Sequence, residues 1–478
     1  MLRSRTSVAW TFAITAIALF MVALDNLVVT TALPVIRAEL NSSLSDLEWM
    51  VNAYTLTFAV LLLTGAALGD RFGRRRVFTI GLVVFTIGSA LAALAPSSTA
   101  LIMARAIQGI GGAIVTPLTL TILSAGVPAQ RRPLALGAWG GIGGLAIAIG
   151  PVVGGAIAQG VNWHWIFWLN VPIGIVAAVL AYFRLEETHG PEGRLDVVGL
   201  ALASVGLLGV VWGVIHGNDR GWFDPQILGA MAIGGALLLG FVAWELRAKS
   251  PMLPPHLFRS RGFTAANTAS LLMYFGMFGS IFLLSQFFQV VQGMNPFEAG
   301  LRVLPWTAMP IFVAPIAGVL SGRIGARPIV VTGLALMSLG LAWLAAIASP
   351  TADYSLFVSP FIVSGVGMGM FFAPIANVVL SAVRPEEEGK ASGANNAIRE
   401  VGGVFGVAVL AAVFTANGSY TTPTAYVNGL IPAVWMGAAV VAVAAVAALF
   451  IPRHVRGEQV HGVAESASIT GAETQTAA

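Results

Sequence analysis

Uninterrupted apolar stretches recur along almost the whole chain, and they leave it few places to fold. A stretch of about 20 such residues, wound as a helix, matches the roughly 30 Å hydrocarbon core of a bilayer. Segments such as AVVAVAAVAALFI (439–451) do not alternate between apolar and polar residues, so the strands of a membrane β-barrel are excluded. Of the 478 residues, 57% are hydrophobic and 10% charged. A soluble domain carries about 25% charged residues, so a water-facing globule is excluded as well.

The apolar windows begin near positions 9, 46, 77, 100, 134, 166, 197, 226, 264, 300, 328, 354, 391 and 428, which predicts fourteen transmembrane helices. Basic residues test that count. Arg3, Arg5, the cluster at 71–76, Arg131, Arg132, Arg184, Arg194, Arg247, Lys249, Arg259, Arg261, Arg323, Arg327, Arg384, Lys390, Arg453 and Arg456 fall on one side, against Arg37, Arg220 and Arg302 on the other. The positive-inside rule then makes the number of spans even and both termini cytoplasmic. The first window (9–33) follows MLRSR but is too long for a signal peptide, lacks a small-residue cleavage site and contains Asp25, so it is expected to be retained. The chain has no cysteine, which excludes disulfides, thiolate metal sites and cysteine catalysis. Only Lys249 and Lys390 are lysines among 25 basic residues, a bias associated with GC-rich bacterial genomes; the expected location is a bacterial inner membrane.

An internal repeat organises the spans. LGDRFGRRRVFTIGL (68–82) aligns with LSGRIGARPIVVTGL (320–334) at a shift of 252, and glycines 393, 402 and 406 repeat the spacing of Gly137, Ala146 and Gly150. Spans 1–6 therefore correspond to spans 9–14, with spans 7 and 8 inserted. The predicted units are a first six-helix bundle (1–190), an inserted helix pair (191–260), a second six-helix bundle (261–453) and a disordered polar tail (454–478).

LIMARAIQGIGGAIVTPL (101–118) places an arginine inside one of these apolar windows. Arg105, Gln108, Gly109, Gly112 and Thr116 share one helical face. An arginine in hydrocarbon costs several kcal/mol unless it meets water or a carboxylate. Two readings stand, a functional buried charge and an arginine snorkelling to the outer interface. Arg399 and Glu400, consecutive within span 13, cannot face each other and need separate partners. Tyr54 and Asn52 of span 2 and Gln286 and Gln289 of span 9 are candidate cavity linings, with Gln108, Asn395, Asn396 and Arg399. Gly140, Gly144 and Ala148, ahead of GPVVGG, give span 5 a smooth stripe for close helix approach, and Pro151 a kink. No GxxxxGK[ST] loop, dinucleotide fingerprint or HExxH pattern occurs, so no cofactor, metal or nucleic-acid partner is expected.

LDNLVVTTALP (24–34), LGDRFGRRR (68–76), RAIQGIGGA (105–113), GPVVGG (150–155) and WHWIFWLNVPIG (163–174) occur in order on the right spans. With these motifs the chain resembles the major facilitator superfamily, and within it the fourteen-helix drug:proton antiporter branch of EmrB/QacA-like multidrug exporters. The resemblance covers nearly everything before the tail. Ala66, Ala146 and His164 depart from the usual motif residues.

The resemblance implies an all-α membrane fold of two six-helix bundles plus two inserted helices. It also implies a monomer that exports amphipathic drugs in exchange for protons. It places spans 1 and 4 beside a central cavity, which makes Asp25 the partner of Arg105 and the proton carrier; a static ion pair is the alternative. Glu400 is the second proton site. Asp70, Arg71, Gly73, Arg74 and Arg75 correspond to the family's gating loop, although a purely topogenic basic loop has the same composition. Gly150, Pro151, Gly154 and Gly155 correspond to the motif that marks exporters, although ordinary helix packing uses the same residues. A nutrient symporter of the same fold and a non-transporting membrane protein are the competing readings.

Overall fold

The computed structural model describes residues 5–128, 132–189, 195–384 and 387–452. The expectations for the tail (454–478) and for the boundary at 190/191 lie outside these residues. Sixteen α-helices make fourteen traverses. The first bundle holds α1 (Arg5–Leu40), α2 (Leu44–Phe72), α3 (Arg74–Ala93), α4 (Ser98–Gly126), α5 (Arg132–Gly160) and the broken pair α6 (His164–Trp168) and α7 (Asn170–Arg184). The inserted hairpin is α8 (Val197–Arg220) and α9 (Pro225–Glu245). The second bundle holds α10 (Arg261–Val290), the broken pair α11 (Pro296–Thr307) and α12 (Met309–Ile324), α13 (Ala326–Ile347), α14 (Tyr354–Ser381), α15 (Glu388–Asn417) and α16 (Pro423–Ala448). Thirteen traverses are long and apolar enough to cross a membrane among the described residues, and α5 is the fourteenth.

Local chemistry explains the boundaries. Ser43 caps α2 and Asn295 caps α11 in reciprocal boxes with Asp46 and Glu298, while Ser97 and Thr422 cap α4 and α16. Such polar caps start each helix ahead of its apolar window, so the helices begin up to five residues earlier than the apolar pattern predicts. Proline produces the two broken traverses. Pro172 and Pro310 have no N–H to offer the carbonyl one turn back, and the chain interrupts at Leu169 and Ala308.

The repeat appears in the packing. In the first bundle α1 pairs with α5, α2 and α3 with α4, and α3 with α7; in the second, α10 pairs with α15, α12 and α13 with α14, and α13 with α16. Gly73 (φ 103°) and Gly325 (φ 86°), matched in the sequence repeat, make the equivalent tight turns α2–α3 and α12–α13 in a backbone region that L side chains avoid. The inserted hairpin covers one seam between the bundles: Val211 and Ile215 of α8 pack with Leu56 and Val60 of α2 and with Val404 and Ala408 of α15.

The other seam joins α5 to α11 at the end of the molecule opposite the Arg71–Arg76 cluster. A Cβ on Gly155 would lie 2.1 Å from the Pro296 carbonyl oxygen, and one on Gly300 would lie 2.3 Å from that of Pro151. The GPVVGG motif is therefore the place where the two bundles touch, backbone to backbone. Gly155→Val should force them apart there and lower the stability of the purified protein by about 1–3 kcal/mol, measured by thermal unfolding in detergent.

Candidate transport site

Arg105 lies in the eighth position of α4 and is 1% exposed; Asp25 on α1 is 2% exposed. Arg105 Nη1 donates to Asp25 Oδ2 at 2.5 Å and to Gln108 Oε1 at 2.7 Å, and its Nε donates to the Met50 carbonyl at 3.2 Å. Its guanidinium lies over the Tyr54 ring, 4.2 Å from the centroid, with Phe167 at 5.9 Å. Asp25 Oδ1 accepts from Gln108 Nε2 at 2.8 Å and from Asn170 Nδ2 at 2.7 Å, while Gln108 Nε2 also reaches Ser89 Oγ at 2.7 Å. Every partner of Asp25 is a donor, a set that suits an ionised carboxylate. Helices α1, α2, α3, α4 and α7 thus converge on one buried charge pair, and Arg105 does not snorkel.

The glycines after Arg105 make this convergence physically accessible. A Cβ on Gly109 would lie 2.4 Å from the Tyr54 carbonyl on α2, and one on Gly111 would lie 2.4 Å from the Phe85 nitrogen on α3. Without side chains there, α4 wedges between α2 and α3 closely enough for Gln108 to span Ser89 and Asp25.

The second bundle is built differently. Arg399 on α15 donates to Asn396 Oδ1 at 3.3 Å and to the Tyr274 hydroxyl, and stacks over Tyr274 at 4.4 Å and Phe372 at 5.6 Å. Glu400 Oε2 is buried with no hydrogen-bond partner among the described residues, and Arg399 Nε likewise has none. Asn395 donates to Asn267 at 3.0 Å and Ser270 at 3.1 Å.

A cavity of about 1150 Å³ opens between the bundles at the basic end. It is bordered by Asp70 of α2, Thr116 of α4, Trp139 of α5, Asn396 of α15 and the linker 246–260 after α9. Of the predicted lining residues, Asn396 borders it; Asn52, Tyr54 and Gln108 are buried within the first bundle. At the opposite end, Gln289 lies in the contact between halves, while Gln286 is buried within the second bundle. Gln289 donates to the Thr31 carbonyl at 2.7 Å and Ser285 to that of Thr30 at 3.3 Å. Tyr420 donates to Gln286 Oε1 at 2.6 Å, and Arg37 of the first bundle lies 3.8 Å from the Tyr420 ring centroid. The molecule is open at the basic end and sealed at the other.

In the 70–75 loop, Asp70 near the end of α2 pairs at 2.7 Å with Arg74 at the start of α3, across the Gly73 turn. Arg75 and Arg76 donate backbone N–H groups to Glu187 at 2.9 and 3.3 Å, and a Cβ on Gly73 would collide with that carboxyl. Arg71 lies 5.2 Å from the Phe72 ring centroid. Among the described residues no group of three His, Asp or Glu side chains is placed to hold a metal ion.

Asn170 and Ser89 were not singled out as site residues in the sequence. Asn170 sits in WHWIFWLNVPIG, so its signal was a polar residue inside an apolar motif; Ser89 gave no signal.

The family model described as "Major Facilitator Superfamily" matches residues 15–407 and 266–472. The chain belongs to the major facilitator superfamily. The tetracenomycin C resistance and export protein of Streptomyces glaucescens is 33% identical over 88% of this chain and 78% of its own length. The multidrug resistance protein Stp of Mycobacterium tuberculosis is 36% identical over 84% and 75%. A bacterial homolog of the human lysosomal transporter Spinster, in an inward-facing and unoccupied conformation, shares the fold with a TM-score of 0.67 at 16% identity, covering 94% of this chain and 98% of its own. The protein is thus a major facilitator transporter, with two bundles open at one end and shut at the other.

Arg105→Ala should destabilise this major facilitator protein by about 3–5 kcal/mol, because it strands the Asp25 carboxylate in the interior. In the double variant Asp25→Asn/Arg105→Ala the loss should be smaller than the sum of the singles, measured as a thermal-unfolding double-mutant cycle. Tyr420→Leu should loosen the sealed end. A single cysteine placed at Thr31 in this cysteine-free chain should label faster in that background than with Tyr420 intact.

Proposed function

We propose that this protein is a proton-coupled antiporter that exports amphipathic drugs or antibiotics from the cytoplasm of a bacterium by alternating access. The observation that carries the reading is the fully buried Asp25–Arg105 pair on α1 and α4, in a molecule open at one end only. Kinship with proteins named for antibiotic export and multidrug resistance supports the substrate class and the direction. With the basic face and both termini on the cytoplasmic side of the inner membrane, the cavity faces inward, ready to load.

The buried pair defines the coupling. Protonating Asp25 neutralises the charge that Arg105, Gln108 and Asn170 hold, so three contacts from α4 and α7 to α1 weaken at once. Neither Asp25 nor Arg105 borders the cavity, so drug and proton do not compete for one space. The link is α4 itself, which carries Arg105 and Gln108 in the pair and Thr116 on the cavity wall two to three turns away. Opening outward then requires the α1–α10 and α5–α11 contacts to part, with Asp70 and Arg74 meeting the second bundle as the basic end closes. Glu400, whose Oε2 is buried without a hydrogen-bond partner, is the candidate for a second proton.

One proton entering across about 100 mV and one pH unit releases about 3.7 kcal/mol, enough for several-hundred-fold accumulation of a neutral solute outside. For a monovalent cation exchanged one for one, only the pH term of about tenfold remains, so strong export of cations calls for two protons.

Purified protein in liposomes with an imposed pH gradient tests this. The wild type should move dyes or antibiotics against counter-flowing protons, and Asp25→Asn should lose gradient-driven transport by at least 100-fold while retaining its fold. Near-normal driven transport by that variant would remove Asp25 from the mechanism; uptake with protons rather than against them would make the protein a symporter.

A further inference from the structure

The inserted hairpin contains a polar arrangement with no role in the pathway above. Asp196 caps the start of α8, and Glu245 ends α9. Asp196 Oδ1 accepts from the Gly199 N–H at 2.8 Å and from Trp244 Nε1 at 2.8 Å, and Glu245 Oε2 accepts from the Leu253 N–H at 2.8 Å. The remaining oxygens, Asp196 Oδ2 and Glu245 Oε1, are both buried with no hydrogen-bond partner. They crowd the same spot: a Cβ on Gly199 would lie 2.5 Å from the first and 2.7 Å from the second. Glu245 is only 4% exposed, and the two distances from that one point put its Oε1 within about 5 Å of Asp196 Oδ2.

Two carboxylate oxygens are both acceptors, and placed together in a dry site they repel unless a proton lies between them. No Lys, Arg or His of the described residues is within ion-pair distance of either carboxyl to supply charge instead. The other charged groups bordering the same cavity are Asp70 and Arg74, paired with each other; His256, paired with Glu387 at 2.5 Å; and Lys249, Arg259 and Lys390.

We propose that Asp196 and Glu245 share one proton, forming a proton-binding site apart from Asp25 and Glu400 where the inserted hairpin meets the cavity wall. The proton comes from water and converts two repelling acceptors into a carboxyl–carboxylate hydrogen bond; no other bond forms or breaks. Through Glu245 Oε2 and the Leu253 N–H, that bond also fixes the linker 246–260, which forms one wall of the cavity. Losing the proton separates the start of α8 from the end of α9 and frees the wall. The site is separate from Asp25, and its presence does not depend on the direction of transport.

Infrared difference spectroscopy across pH tests it, reading the C=O band of a protonated carboxyl. Glu245→Gln and Asp196→Asn each replace one acid by an amide of the same shape that donates the hydrogen bond without a titrating proton. The expected result is a protonated-carboxyl band at neutral pH in the wild type and in Asp25→Asn, absent from Glu245→Gln and from Asp196→Asn. A band unchanged in both hairpin variants, or no such band in the wild type, would overturn the proposal. A single cysteine at Ser250 reports on the wall. Its labelling rate, divided by that of the same cysteine in the Glu245→Gln background to cancel thiol titration, should rise several-fold with pH; a flat ratio would overturn the proposed hold on the linker.

Discussion

A carboxylate and a guanidinium held inside a hydrocarbon-spanning bundle constrain everything near them. Arg105 alone in lipid would cost several kcal/mol. It is tolerated because Asp25, Gln108, the Met50 carbonyl and the Tyr54 ring surround it. With Asn170 on Asp25 and Ser89 on Gln108 the network draws on five helices, so the charge state of one carboxyl bears on the relative positions of α1, α4 and α7 together. The dense glycines of α4 serve the same end, since larger residues at 109 and 111 would hold α2 and α3 too far off for the shell to close.

The two bundles repeat in path but not in chemistry. The first ties Asp25 and Arg105 into a hydrogen-bonded network, with Glu48 Oε2 of α2 buried apart from it without a partner. The second leaves Glu400 Oε2 and Arg399 Nε without partners and relies on aromatic contacts of Arg399 with Tyr274 and Phe372. At the sealed end the halves meet through contacts of two kinds. Backbone touches backbone at Gly155 and Gly300, which allows no adjustment, while Gln289, Ser285 and the Arg37–Tyr420 stack are polar contacts that exchange readily for water. Leu27, Val28 and Ile36 of α1 belong to the same apolar cluster as Phe278, Ile281 and Phe282 of α10, so parting the halves also exposes apolar surface.

Much of this architecture was legible in the sequence, because apolar windows, the positive-inside bias and the repeated Gly73/Gly325 turn are local or periodic signals. The Asp25–Arg105 contact was legible for a different reason: each is a lone charge in an apolar window, and the family resemblance sets those two spans side by side. Ser89, 19 residues before Gln108 and unremarkable in its own helix, became a partner only through three-dimensional packing. Gln286 and Gln289 show the converse. Polar residues in apolar helices signal a polar environment but do not distinguish a cavity from a packing contact, and here Gln289 meets the other half while Gln286 pairs within its own bundle. The breaks in the sixth and tenth traverses follow from Pro172 and Pro310, whose effect on a continuous apolar window hydropathy does not register.

The central claim is that occupancy of the cavity and protonation of Asp25 exclude one another across α4. The most direct measurement is proton release on drug binding to the purified protein in weakly buffered detergent, followed with a pH indicator. With the protein first acidified until Asp25 carries its proton, the account predicts close to one proton released per chain on binding in the wild type and none in Asp25→Asn. Equal release from both would contradict it.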